Sequence, residues 1–69
     1  MTCDLTLRDV RSVARIVNLA HRFNCRITHV QAAVGDVETS ARFAFDGPPV
    51  ALTRLRAQID RIIAYESVA

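Results

Sequence analysis

Apolar and polar residues alternate at the start of the chain, with Cys3, Leu5 and Leu7 on one side and Asp4, Thr6 and Arg8 on the other. That period of two predicts a half-buried strand. The period then lengthens. "RDVRSVARIVNLAHRF", residues 8–23, predicts an amphipathic helix beginning near Asp9, whose carboxylate suits an N-cap, and running to about Phe23, with Asn24 as its stop. Residues 27–34 are rich in β-branched side chains, and residues 37–45 alternate again through Val37, Thr39, Ala41, Phe43 and Phe45. The Gly35-Asp36 pair between them is a turn signal, so the two segments predict a hairpin. "DGPP", residues 46–49, ends that hairpin and admits proline in the first turn of a second helix, expected over residues 50–64. The tail, residues 65–69, is apolar enough to add a short last strand.

On a wheel of about 100° per residue, Leu52, Leu55, Ile59, Ile62 and Ile63 form one compact stripe, with Arg54, Gln58 and Arg61 opposite. The first helix is different. Val10, Val13, Ala14, Val17 and Ala20 make an expected core stripe, while Ile16, Leu19 and Phe23 extend it round one side and Arg11, Arg15, Asn18 and Arg22 fill the rest. The surplus, Ile16, Leu19 and Phe23, is a candidate interface whose occupant periodicity leaves open: another protein chain, a nucleic acid, or nothing. The order of elements is that of the split βαβ, ferredoxin-like sandwich. The expected class is α+β, βαββα(β), with two helices on one face of an antiparallel sheet and the other face partly bare. Residues 1–69 read as one domain, without linker, internal repeat or low-complexity segment.

A domain of 69 residues buries only about 60% of the surface its unfolded chain exposes. Disulfides, a metal or a partner commonly supply the missing stability. Cys3 and Cys25 lack the density of a disulfide scaffold, and no charged n-region followed by an apolar run opens the chain, so a cytoplasmic protein with free thiols is expected. His21, His29, Cys3 and Cys25 fall in no paired ligand spacing, and no metal or cofactor is expected. Association is what remains. All nine basic residues are arginine, against seven acids, and the net charge of +2 is too mild to argue for nucleic acid. No apolar run is long enough to span a membrane.

No nucleophile, base and orienter assemble from neighbouring motifs, so no catalytic residue is assigned. His21 falls beside the polar sector of the first helix and reads as a surface histidine. His29, Gln31 and Arg42 are expected to share the bare sheet face as a polar cluster. Cys3 and Cys25 read as small hydrophobes, and Gly35 and Gly47 as isolated turn glycines. Two alternatives belong to other classes. A nucleic-acid binder would grip phosphates with Arg11, Arg15 and Arg22, but Phe43 and Phe45 share the core parity and leave Ser40, Arg42 and Ala44 opposite, with nothing for a base to stack on. A small stand-alone ferredoxin-like enzyme would build its pocket on His29, Gln31 and Arg42.

"SVARIVNLAHRFNCRITHVQAAVGD" followed by "LTRLRAQIDRIIAYESVA" resembles the ACT domain family, most closely the short regulatory small subunits of acetolactate synthase. The resemblance covers Leu5 to the end of the chain and rests on apolar spacing. It implies pairing side by side, sheet edge to sheet edge and helix to helix, as a homodimer or as a heteromer with a larger biosynthetic enzyme subunit whose thiamine diphosphate chemistry belongs to that partner. It also implies an effector loop between the first strand and first helix, where an Asp-x-x-Gly-like turn lets backbone N–H groups approach a carboxylate. Here the loop offers Asp9 with Arg11 or Ser12 in place of the glycine, a departure that leaves effector binding open.

Overall fold

The computed structural model describes residues 1–68. In chain order the elements are β1 (Thr2–Leu7), α1 (Arg11–Arg22), β2 (Arg26–Val34), β3 (Thr39–Asp46) and α2 (Pro49–Val68). The chain is α+β: three antiparallel strands in the order β1-β3-β2, with two helices packed on one face. β3 is central, and β1 and β2 are both edges.

The alternation that predicts β1 and β3 is the pattern of their burial. Cys3, Leu5 and Leu7 lie in register with Phe43, Ala41 and Thr39, and all six are buried. Residues directly opposite in an antiparallel ladder share a face, so these side chains form the floor of the core. Phe43 and Phe45 stack there with ring centroids 5.5 Å apart. Ile16 and Ala20 of α1 and Leu55 and Ile59 of α2 close the core from above, with no exposure at any of the four. The expected stripe of the second helix holds, with Leu55 and Ile59 at its centre and Leu52, Ile62 and Ile63 packed around them.

Helix α1 ends where Asn24 was expected to stop it. Asn24 takes φ 58°, a left-handed conformation that asparagine tolerates better than most side chains. The Cys25 N–H then donates to the Ala20 carbonyl at 2.9 Å and the Asn24 N–H to the His21 carbonyl at 3.2 Å, the paired bonds of a Schellman motif. At the other end, Asp9 acts one residue ahead of the cap. Its carboxylate accepts the Arg11 N–H at 2.9 Å, while Val10 holds the N-cap position.

Three expectations are corrected. Val37 is not in a strand: the hairpin needs all of residues 35–38, closed by the Gly35 N–H to the Glu38 carbonyl at 2.8 Å, and Val37 is 86% exposed. A Cβ at Gly35 would stand 2.9 Å from that carbonyl oxygen, so close approach demands glycine here. The short last strand is also absent over residues 65–68, which continue α2; Ala69 lies outside the described residues. The third correction is the phase of α1. Of the expected core stripe, Ala20 is fully buried and Val13 and Val17 pack against the core, but Val10 is 49% exposed and Ala14 is exposed; of the candidate interface, Ile16 is fully buried and Leu19 and Phe23 pack against the core. The larger side chains turn inward because they remove more apolar surface from water.

Candidate functional site

Helix α1 has two flanks, and their surroundings differ. Arg15, Asn18, Leu19 and Arg22 border a cleft whose far wall is Gln58 and Ile62 of α2. Val17 and His21 border another whose far wall is Arg26 and Ile27 of β2. Val10 and Ala14 share the flank of Val17 at helical spacing. Because α1 returns from the end of β1 to the start of β2, Val10 lies towards the Val34 end of that strand and Val17 towards the Ile27 end. The exposed apolar residues of α1 are Val10 and Ala14, on the β2 side, while Val17 on the same flank is partly buried against the core.

Strand β2 carries a matching surplus. Ile27 pairs with Phe45, the register then shifts before His29, and Val30, Ala32 and Val34 pair with Phe43, Ala41 and Thr39. The shift is a bulge, which inserts one residue and resets the alternation. It returns Val30, Ala32 and Val34 to the helix-covered face after three residues rather than two. No helix covers them there: Val30 is 44% and Val34 70% exposed, and Ala32 is exposed. From Thr28 to Val34 the strand also has no Lys, Arg, Asp, Glu or Pro. Natural sheets use such residues, and bulges, to blunt an open edge; beyond its bulge this edge has none of those residues. At its start, Arg26 is neutralised by Asp46 at 2.9 Å.

The bare sheet face is polar and self-paired. Gln31 stands in register with Arg42 and His29 with Ala44, so the expected cluster does share that face. Arg42, however, is held by Asp4 at 2.6 Å, and that hydrogen bond raises its pKa further above the ordinary arginine value. The shallow concavity beside it is lined by Asp4, Thr6, Gln31, Ala33, Ser40 and Arg42, a set without an aromatic ring or a nucleophile paired to a base.

The expected effector loop is likewise engaged within the chain. Arg11 reaches back to Asp9 at 2.8 Å, and its side-chain hydrogen bond holds the Asp9 carboxyl below the ordinary range. Ser12 is buried and donates its hydroxyl to Glu66. Cys3 and Cys25 are free and buried. Cys3 accepts from Arg56 at 3.2 Å, and Cys25 packs against Gly47. Among the described residues no group of His, Cys, Asp and Glu is placed to hold a metal ion, and no helix is long and apolar enough to cross a membrane.

Sequence reasoning missed the open face of β2 because the bulge hides its parity. The signal within reach was negative, a β-rich run without a charge. Glu66 was missed because its partners lie more than 50 residues away in sequence. Compared with known proteins, the chain matches no family model, no curated protein and no solved structure.

Proposed function

We propose that this chain is a non-catalytic pairing domain whose β2 edge and outer α1 flank meet the same surfaces of a second copy, and that the pair serves as a regulatory or accessory subunit of a larger biosynthetic enzyme. One observation carries the pairing: Val30, Ala32 and Val34 stand uncovered on the helix side of an edge strand that is uncharged from Thr28 onward. A second copy fits this surface better than an unlike partner. Two-fold pairing of β2 with itself brings no like charges together, satisfies the open backbone groups of both edges, and lays Val10, Ala14 and Val17 of one protomer against those of the other.

The finer architecture belongs to the same reading. The strand order, with β3 between β1 and β2, supports reading the sheet as that of a ferredoxin-like sandwich. The resemblance to the ACT domain family suggests the partner, an acetolactate synthase large subunit, and with it a cytoplasmic location. The enzyme and nucleic-acid alternatives gain no support from the bare face, where Arg42 is committed to Asp4 and both strand phenylalanines are buried on the opposite side.

Light scattering of the purified chain, followed by affinity capture from its source cell, tests both halves. The expected result is a dimer that retains a large biosynthetic enzyme subunit. A stable monomer removes the pairing, and a dimer that changes no enzyme's activity removes the regulatory role.

A further inference from the structure

The two helices each lack a terminal group of their own. Helix α1 has no side-chain N-cap and no acid in its first turn, so nothing within it answers the partial positive charge of its N-terminus. Helix α2 has no base in its last turn, so nothing within it answers the partial negative charge of its C-terminus. At the head of α1 the Asp9 carboxylate takes the Arg11 N–H, and the remaining contacts come from the opposite element. Glu66, in the last turns of α2, accepts the Arg8 N–H at 3.1 Å with one carboxylate oxygen and the Ser12 hydroxyl with the other. Arg8, in the loop ahead of α1, donates its Nη1 to the Glu66 main-chain carbonyl at 3.1 Å. Ser12 is 3% exposed, so its hydroxyl sits where an unmet hydrogen bond is costly.

We infer that Glu66 is a resident carboxylate that fills and closes the anion-accepting turn between β1 and α1, and so straps the end of α2 to the head of α1. Arg8, Arg11, Arg15 and Ser12 line the cleft in which it lies, together with Asp9, which is paired with Arg11. The strap explains why residues 65–68 remain helical instead of leaving α2 to extend the sheet beyond β1. It also makes the turn a closed site. An external carboxylate meets donors already taken by a group tethered to the same chain, whose effective concentration is high. The inference does not depend on the pairing at β2, which lies at the other edge of the sheet.

The test is chemical rescue of Glu66→Ala, followed by thermal melting at fixed pH and protein concentration. Losing a contact of this capping type lowers the melting temperature by about 5 °C in a domain of this size. Sodium acetate should restore the loss saturably, whereas sodium chloride at equal ionic strength should not. The wild type, with its site occupied, should show no difference between the two salts. Glu66→Ala combined with Ser12→Ala should lose the rescue, because the buried donor is gone. If Glu66→Ala fails to fold, the same titration is read as recovery of the helical circular-dichroism signal. An unchanged melting temperature in Glu66→Ala, or equal effects of acetate and chloride on it, would overturn the inference.

Discussion

Strands β1 and β2 occupy equivalent places, one on each side of β3, yet they are covered differently. On the helix side β1 presents Cys3, Leu5 and Leu7, with exposures of 3%, 9% and 0%. The corresponding positions of β2 are Val30, Ala32 and Val34, all exposed. The helices cover β1 along its length but β2 only near its start, where Ile27 packs against the core. Charge follows the same division. β1 carries Asp4, bonded across to Arg42, while β2 after Arg26 carries no Lys, Arg, Asp or Glu. The helix side of one edge strand is covered within the chain, and that of the other is covered by a second copy in our account.

The largest contrast comes from placing the same cation at both edges. Leu7→Lys buries an ammonium where nothing can pair with it, a cost comparable with the whole stability of a small domain. Circular dichroism should show it unfolded. Val34→Lys places the charge where the chain itself leaves room, so the variant should keep a folded spectrum and lose its dimeric mass in light scattering. Matching loss of folded signal would merge the two edges into one core and break the comparison.

A smaller contrast lies along α1. Ile16→Ala removes a fully buried side chain and should cost about 2–5 kcal/mol in denaturant unfolding. Val10→Ala trims a half-exposed side chain and should cost about 1 kcal/mol or less in the same assay, with its effect growing as protein concentration rises and dimers dominate. Equal costs at every concentration would place Val10 in the core.

The sequence made one of these edges legible and hid the other. β1 and β3 keep a strict alternation, so their parity can be read directly, and Asn24 marks the helix stop that its left-handed backbone confirms. In β2 the bulge between Ile27 and His29 breaks the period, and no propensity foretells where a bulge falls. Helix α1 presents apolar residues through more than half its circumference, so periodicity identifies the helix but not its rotation. Packing buries Ile16 and Ala20 fully, leaves Val13, Val17, Leu19 and Phe23 partly buried against the core, and exposes Val10 and Ala14. The polar cluster of His29, Gln31 and Arg42 was placed on the correct face, but the commitment of Arg42 to Asp4 depends on cross-strand register. Residues 65–68 continue α2, and Glu66 there meets Arg8 and Ser12, a tertiary contact invisible to any local pattern.

The smallest effect concerns what keeps β1 from pairing. Asp4→Val removes the only charged residue of that strand and leaves Arg42 without its partner, at little cost to a folded, solvent-exposed region. Its expected consequence is a slight tendency to associate beyond the dimer, visible as a second boundary in sedimentation velocity at high concentration. Unchanged sedimentation would mean that Asp4 is not what blunts the β1 edge.

Amide hydrogen exchange compares the two edges within one sample. In an edge strand of an antiparallel sheet alternate N–H groups point away from the neighbouring strand, and in an isolated monomer they exchange quickly. The account predicts that the outward amides of β2 between Thr28 and Val34 are protected at concentrations where the chain is dimeric and lose that protection on dilution or in Val34→Lys. The outward amides of β1 should exchange quickly under both conditions. Fast exchange along the outer side of β2 at every concentration, with β1 no different, would contradict the claim that a second copy completes this edge.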